Sequence, residues 1–399
     1  MTSSSSPRAT LRRGIALPIA LAAIIAVGAL IAGVIFASTQ EYRVGRNMLA
    51  AQRALHGAEV GLNSVVSSWT IDRTKKLKIG FRDSLVDTII DESYVKREWV
   101  RVSPTMFYVT STAIAGSESI QARAIKRLNT LVRVDIPDMK IQGALTLRGN
   151  VALTGSANIN GNDVTPAGWP DCLEAGAPSS GLVVGDVTLN ATSSGNCGVA
   201  NGFTCVSGSP RIADSSIYAD SMTYKKFGGF SYDSLTKLAT KIYNGSVTTM
   251  SQKQPFYLDP PTNKVCNKDD DRNWGSLSHI DGSTGCDTYY PTIWLQGQNL
   301  TYTLANFGGQ GIILVDGNVK INGTFQWTGL ILVQGRIEVE GNQAPKVVGA
   351  IMAMDRNNLG HTVKGNINVQ FSRCALQAVT ARLATARQTK YRAWADMSF

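Results

Sequence analysis

The chain is short of charge and of histidine, and both shortages exclude chemistry. Of its 399 residues 17% are charged and three are histidine. His56 lies in a helical stretch and His279 and His361 are isolated, so there is no nucleophile–base pair and no histidine at metal-ligand spacing. No CxxC pair occurs either. The six cysteines, Cys172, Cys197, Cys205, Cys266, Cys286 and Cys374, therefore read as structural disulfides of an exported protein rather than as zinc ligands. Cys266–Cys286 is the favoured pairing, because the stretch between them is polar and has no core of its own.

Charge is most completely missing from Gly14 to Ala37, where there is none, while Arg8, Arg12 and Arg13 stand just before. Such a run is about 34 Å long as a helix, enough to cross a bilayer once. The arginines keep the N-terminus in the cytoplasm and place the rest outside. A cleaved secretory peptide has a shorter apolar region. Here helical patterning continues past the membrane: Met48, Leu55, Leu62 and Trp69 recur every seventh residue, with Ala51, Ala58 and Val65 between them. That is a seam of a and d positions and predicts one helix over 15–68.

These features resemble a type IV pilin. Arg12, Arg13 and Gly14 before Ile15, Ala16 and Leu17 look like a prepilin peptidase site cut between Gly14 and Ile15. Glu41, Gly45 and Asn47, followed by Ala54, Ala58, Glu59, Gly61 and Leu62, resemble the start of PilX-type minor pilins. The resemblance covers about residues 12–68 and implies a leader removed by the peptidase, an inner-membrane anchor, and other pilins as partners in a fibre. Major pilins carry Glu at the fifth mature position; here Ile19 stands there, which favours a minor subunit at a tip or in initiation.

Net charge is +10. Residues 1–140 carry +8, residues 141–372 carry −2 and the last 27 carry +4. The basic excess thus belongs to leader, stalk and tail, which suits orientation at a membrane and does not favour nucleic acid as partner.

Residues 71–98 read as a charged connection. Strand-like segments follow at 99–102, 106–114, 119–127 and 130–136, an antiparallel headpiece packed on the exposed half of the helix and ending at Pro137.

Beyond Pro137 the chain repeats itself. Residues 313–323 and 331–341 align without gaps at an offset of 18; 145–155 is an earlier copy, and 181–190 and 365–370 are partial ones. Each unit is two short strands bent at Gly-Asn or Gly-Asp, and turn residues Asn150, Asp186, Asn318 and Asn366 are expected to stack. Rungs this short cannot bury their own apolar face, so they predict a β-solenoid, with a Greek-key sandwich as the alternative. Residues 200–300 interrupt the repeat as an insertion rich in aromatics and proline, with a short helix over 232–243.

The expected fold class is α+β: leader 1–14, transmembrane and stalk helix 15–68, α/β headpiece 69–138, parallel β-helix-like body 139–375, and basic tail 376–399. Asp269, Asp271 and Asn273 fit the first ligands of a calcium loop, but Trp274 replaces the required Gly and Ile280 the final acid. A solvated charge run is the favoured reading there, and no cofactor is expected. Asp316, Lys320, Arg336, Glu338 and Glu340 alternate as outward polar positions and specify no acid–base pair. The expected role is structural: a minor pilin that delivers the solenoid for assembly, for adhesion or to a surface ligand or tip adhesin. The alternative is a membrane-anchored β-helix enzyme acting on carbohydrate.

Overall fold

The computed structural model describes residues 16–69, 73, 77–116, 123–135, 137, 139, 141–166, 169, 176–185, 197, 203–255, 257–258, 265–277, 286–341 and 343–389. The leader with Gly14 and Ile15, Cys172, Asp186 and the last ten residues lie outside this set. Two compact units share the chain: residues 1–134 with 386–399, and residues 135–385.

In the first unit α1 (Ala16–Ser67) runs uninterrupted for 52 residues, roughly 78 Å at the α-helical rise. Pro18 falls in the first turn, where its missing N–H breaks no helical bond. Every residue from Ala16 to Leu49 is exposed, and packing begins at Ala50. There a sheet takes over: β1 (Arg82–Ser84), β2 (Thr88–Ile90), β3 (Ser93–Arg101), β4 (Met106–Ala115) and β5 (Ala124–Asp135). β3 pairs antiparallel with β1, β2 and β4, and β4 with β5. Residues 71–98 are thus more than a connection, since they supply two short strands and two thirds of β3. The segments expected separately at 119–127 and 130–136 are one strand over their described part. The last strand of this sheet, beside β5, is Thr385–Gln388. The second unit is therefore an insertion between two neighbouring strands of the head sheet, and residues 385–388 are not free tail.

α1 meets the sheet through a stripe of small residues, Ala50, Ala54, Gly57, Ala58 and Gly61, extended by Leu62 and Val65. A Cβ on Gly61 would stand 2.6 Å from Val95 Cγ1, so a side chain there would push the helix off the sheet. Leu62 joins Val95, Ala113 and Leu128 in the core beneath. Trp69 follows, its ring 4.7 Å from Phe107 and 5.9 Å from Trp99. The heptad seam is corrected by this geometry: Leu62 and Trp69 are buried, but Met48 is 62% and Leu55 38% exposed. A helix lying on a sheet presents a 3.6-residue stripe rather than a strict 3.5-residue seam, and small residues let the sheet approach closest.

The second unit is built of two parallel sheets stacked rung upon rung. One runs through Thr292–Leu295, Gly308–Val315, Gln326–Val333 and Lys346–Ala353, the other through Thr301–Ala305, Asn318–Asn322, Ile337–Val339 and His361–Lys364. The gapless offset of 18 is the structural register, because Val315 pairs with Val333 and Val319 with Ile337. The first sheet is buried on both faces along Gly308–Val315, Gln326–Val333 and most of Lys346–Ala353, while strands of the second alternate buried and half-exposed residues. The helix Arg373–Ala381 packs against the strands Gln326–Val333 and Lys346–Ala353. Gly311, Gly329 and Gly349 stand in register with φ of +120°, +135° and +136°, and a Cβ on Gly329 would overlap the carbonyl of Gly311.

The order of the rungs is not the order of the chain. The first copy, Gly143–Arg148 with Val151–Thr154, stacks on the last rung, pairing with Lys346–Ala353 and His361–Lys364. Beyond the first copy stand Ser180–Gly185 and Ile212–Asp214, and the far end is the rung Lys241–Tyr243 with Thr249–Met250, which pairs with Thr292–Leu295 and Thr301–Ala305. The span 200–300 thus contains a rung of the solenoid and the first strand of the next. Within it the helix is Tyr232–Thr236, and the rest of the expected helix is turn and strand. Asn318 and Asn366 occupy different corners and do not stack: Asn318 Oδ1 accepts from Arg336 N at 2.9 Å, whereas Gly365, before Asn366, donates its N–H to Thr154 O at 3.3 Å.

Candidate functional site

Three features stand out from this scaffold: the uncovered half of α1, a strap along one corner of the solenoid, and a disulfide-closed cap at its far end.

The uncovered half of α1 is long and apolar enough to cross a membrane, with a mean hydropathy of 2.8 over its best window and none of that window buried. Beyond the apolar run the outward face carries Tyr42, Val44, Met48, Leu49 and Leu55, all exposed. Met48 and Leu55 therefore belong to a surface available to partners, while Leu62 and Trp69 belong to the head.

The strap is residues 216–236. It crosses the rungs at the residue that precedes the turn glycine of each copy. Arg148 Nε donates to Ala219 O at 2.8 Å, Gln334 Nε2 to Tyr224 O at 2.9 Å, and Tyr232 Oη to Asp316 Oδ1 at 3.1 Å. Strand register puts Leu147, Ala353, Val333 and Val315 in one row, so Arg148, Gln334 and Asp316 belong to levels of one corner, with Met354 between Arg148 and Gln334. The strap carries the chain from the near end of the solenoid to the far one, and the chain then winds back. Burial pushes the Tyr232 hydroxyl well above its usual range, and the Asp316 carboxylate adds to the shift. Asp316 also accepts from Trp294 Nε1 at 2.9 Å and Gly297 N at 3.3 Å, which makes it an organiser of the corner. Sequence reading named Asp316 only as an outward polar residue and missed Arg148 and Gln334. The available signal was a polar residue before Gly in all three copies.

The far-end cap is tied by Cys266–Cys286; Cys197–Cys205 is a second disulfide, and Cys374 is also disulfide-bonded. The expected calcium ligands are arranged differently. Lys241 Nζ donates to the carbonyls of Lys268 and Asp270 at 3.1 and 2.7 Å, and Lys253 Nζ to that of Asp271 at 3.2 Å. Ammonium groups thus occupy the backbone carbonyls around Asp269 and Asp271. Asn273 is buried, its Nδ2 donating to Asn267 O at 2.7 Å and its Oδ1 accepting from Gly275 N at 3.0 Å. Arg272 forks onto Asp270 and holds that carboxyl down at about 2. Trp274, found where calcium loops need Gly, is instead the centre of the cap: its Nε1 donates to Tyr243 Oη at 2.9 Å, and Phe307 and Trp327 meet its ring edge-on. Burial lifts the Tyr243 hydroxyl to about 12.

The remaining outward charges pair on the surface, Lys320 with Glu340 and Arg336 with Glu338. His361 is buried with both ring nitrogens on backbone groups.

No protein-family model matches the chain, and no curated protein does. Among solved structures it is similar to the competence-associated pilin ComZ from Thermus thermophilus, at 10% identity over 88% of this chain and 97% of that one, with a TM-score of 0.23.

Proposed function

We propose that this chain is a minor pilin of PilX type, which enters a type IV pilus-like fibre through α1 and displays the solenoid outside the membrane. The observation that carries this reading is α1 itself, 52 residues without a break, uncovered over its apolar half and seated on a sheet over the rest. A simple anchor needs about 20 apolar residues and no rigid continuation. In the fibre, neighbouring pilins would cover the exposed apolar face, and the arginines upstream would hold the N-terminus in the cytoplasm before extraction. The body is read as a binding module rather than an enzyme, because Asp316, Glu338 and Glu340 are each committed to protein partners.

The test is maturation. Prepilin peptidase should remove Met1–Gly14 and expose Ile15 as the new amino terminus. Intact mass and N-terminal sequencing, with and without the peptidase, read this out. An uncut chain in peptidase-positive cells would overturn the reading.

A further inference from the structure

Between the strap and the solenoid corner lies a cavity of about 350 Å³ that none of the roles above uses. Lys225, Lys226 and Ser231 line it from the strap, Gln334 and Arg356 from the solenoid. Among the described residues none of its three cations forms an ion pair or donates a side-chain hydrogen bond. One carboxylate, Asp233, shares the lining and is exposed.

Gln334 decides what kind of anion fits. It is 1% exposed, its Nε2 is committed to Tyr224 O, and its Oε1 accepts from no protein group. Gln334 lines the cavity, so an occupant that brings a hydroxyl can supply the donor that its oxygen lacks. Met222 and the Tyr232 ring add an apolar wall. The cavity therefore asks for an anionic group, for hydroxyl donors and for a hydrocarbon face in one small molecule. Its volume sits at the small end of ligand pockets, about 300–1,000 Å³.

We propose that this cavity binds a hexuronic acid unit, with its carboxylate on Lys225, Lys226 and Arg356 and its ring hydroxyls on Gln334 Oε1 and Asp233. Inorganic phosphate would satisfy the cations and can donate through its own hydroxyl, but it has no hydrocarbon face for Met222 and the Tyr232 ring. A neutral hexose would satisfy the acceptors and leave three cations uncompensated. The acidic sugar meets the cations, the acceptors and the apolar wall together.

Full-length protein in detergent, titrated with galacturonate, galactose and inorganic phosphate by isothermal calorimetry and saturation-transfer NMR, tests this. Galacturonate is expected to bind at least about tenfold more tightly than galactose or phosphate, since charge-assisted contacts and donor–acceptor matching act together. The side chains of Arg356 and Lys226 make no ion pair or hydrogen bond within the described residues, so Arg356→Gln and Lys226→Gln should each weaken galacturonate about tenfold with the melting temperature little changed. Phosphate binding as tightly as galacturonate, no sugar binding at all, or unaltered affinity in both variants would each overturn the proposal. The site stands on the solenoid and strap alone. Leader cleavage scored on the same preparation therefore separates its failure from that of the pilin reading.

Discussion

His361 Nε2 lies 2.8 Å from the carbonyl oxygen of Arg148, 213 residues away, while Ile337 N–H donates to His361 Nδ1 at 3.2 Å. A backbone N–H can only donate, so Nδ1 is the bare nitrogen and Nε2 carries the proton. The ring thereby ties the first copy of the repeat to the last rungs, and the tie holds only while the imidazole is neutral. Asp355, also buried, caps the adjoining turn through Leu359 N at 3.0 Å and Gly360 N at 2.7 Å.

The first prediction follows from that proton. Burial holds His361 below its ordinary 6.5, with Arg336 adding to the shift and the Arg148 carbonyl and Asp355 opposing it. The folded chain therefore refuses a proton that the unfolded chain accepts. Stability should be level above about pH 7 and fall as pH drops through 6.5, by up to about 1.4 kcal/mol per pH unit. His361→Phe should abolish this part of the pH dependence. It should also cost about 3 kcal/mol at neutral pH, because two backbone groups lose their partner. Thermal melts across pH 5–8 on both proteins check it; a parent curve parallel to the variant's would refute the assignment.

Close stacking, not backbone angle, should decide the turn glycines. A bend at Gly suggests an unusual backbone angle at Gly317 and Gly335, but positive φ falls on other glycines, such as Gly323 and Gly341. A Cβ on Gly317 would instead overlap Leu300 O, and one on Gly335 would stand 2.5 Å from Gly317 O. Gly317→Val and Gly335→Val should each destabilise the solenoid by roughly 1–3 kcal/mol through overpacking. Gly329→Val meets both the crowding and a φ of +135° and should be the worst of the three. Chemical denaturation ranks them.

On α1, Leu62→Asp and Leu55→Asp should separate. Leu62 is 2% exposed in the head core, whereas Leu55, two turns before it on the same flank of the helix, is 38% exposed. The first should cost about 1–3 kcal/mol and bring earlier proteolytic cutting between residues 60 and 130. The second should leave the head within about 0.5 kcal/mol of the parent, and any defect should appear in fibre assembly.

At the cap, Cys266→Ser with Cys286→Ser should remove about 3 kcal/mol of loop-closure stabilisation and expose residues 253–290 to protease. Lys241→Met should destabilise the cap by about 1–3 kcal/mol, since it strands the carbonyls of Lys268 and Asp270. Calcium should not raise the melting temperature of the parent. A calcium-dependent rise lost in Asp269→Ala and Asp271→Ala would show that a metal, not the ammonium groups, organises these carbonyls.

Much of this architecture is legible along the chain because its causes are local. An uncharged run from Gly14 to Ala37 and helical patterning beyond it specify one long helix. β-branched alternation marks β4 and the end of β3, and the 18-residue offset is the rung register itself, Val315 on Val333. What the sequence left open depends on groups far apart in the chain. Which face of α1 is buried was settled by the approach of Val95 and Ser111 to Gly61, which no periodicity of α1 encodes. Which rung neighbours which was settled by the strap, because a parallel stack accepts a rung at either end and the contacts of Ala219, Tyr224 and Tyr232 decide where the chain starts winding. The same long-range meeting built the cavity: Lys226 and Arg356 are 130 residues apart in sequence and share a wall only because the strap returns over the corner it had to cross.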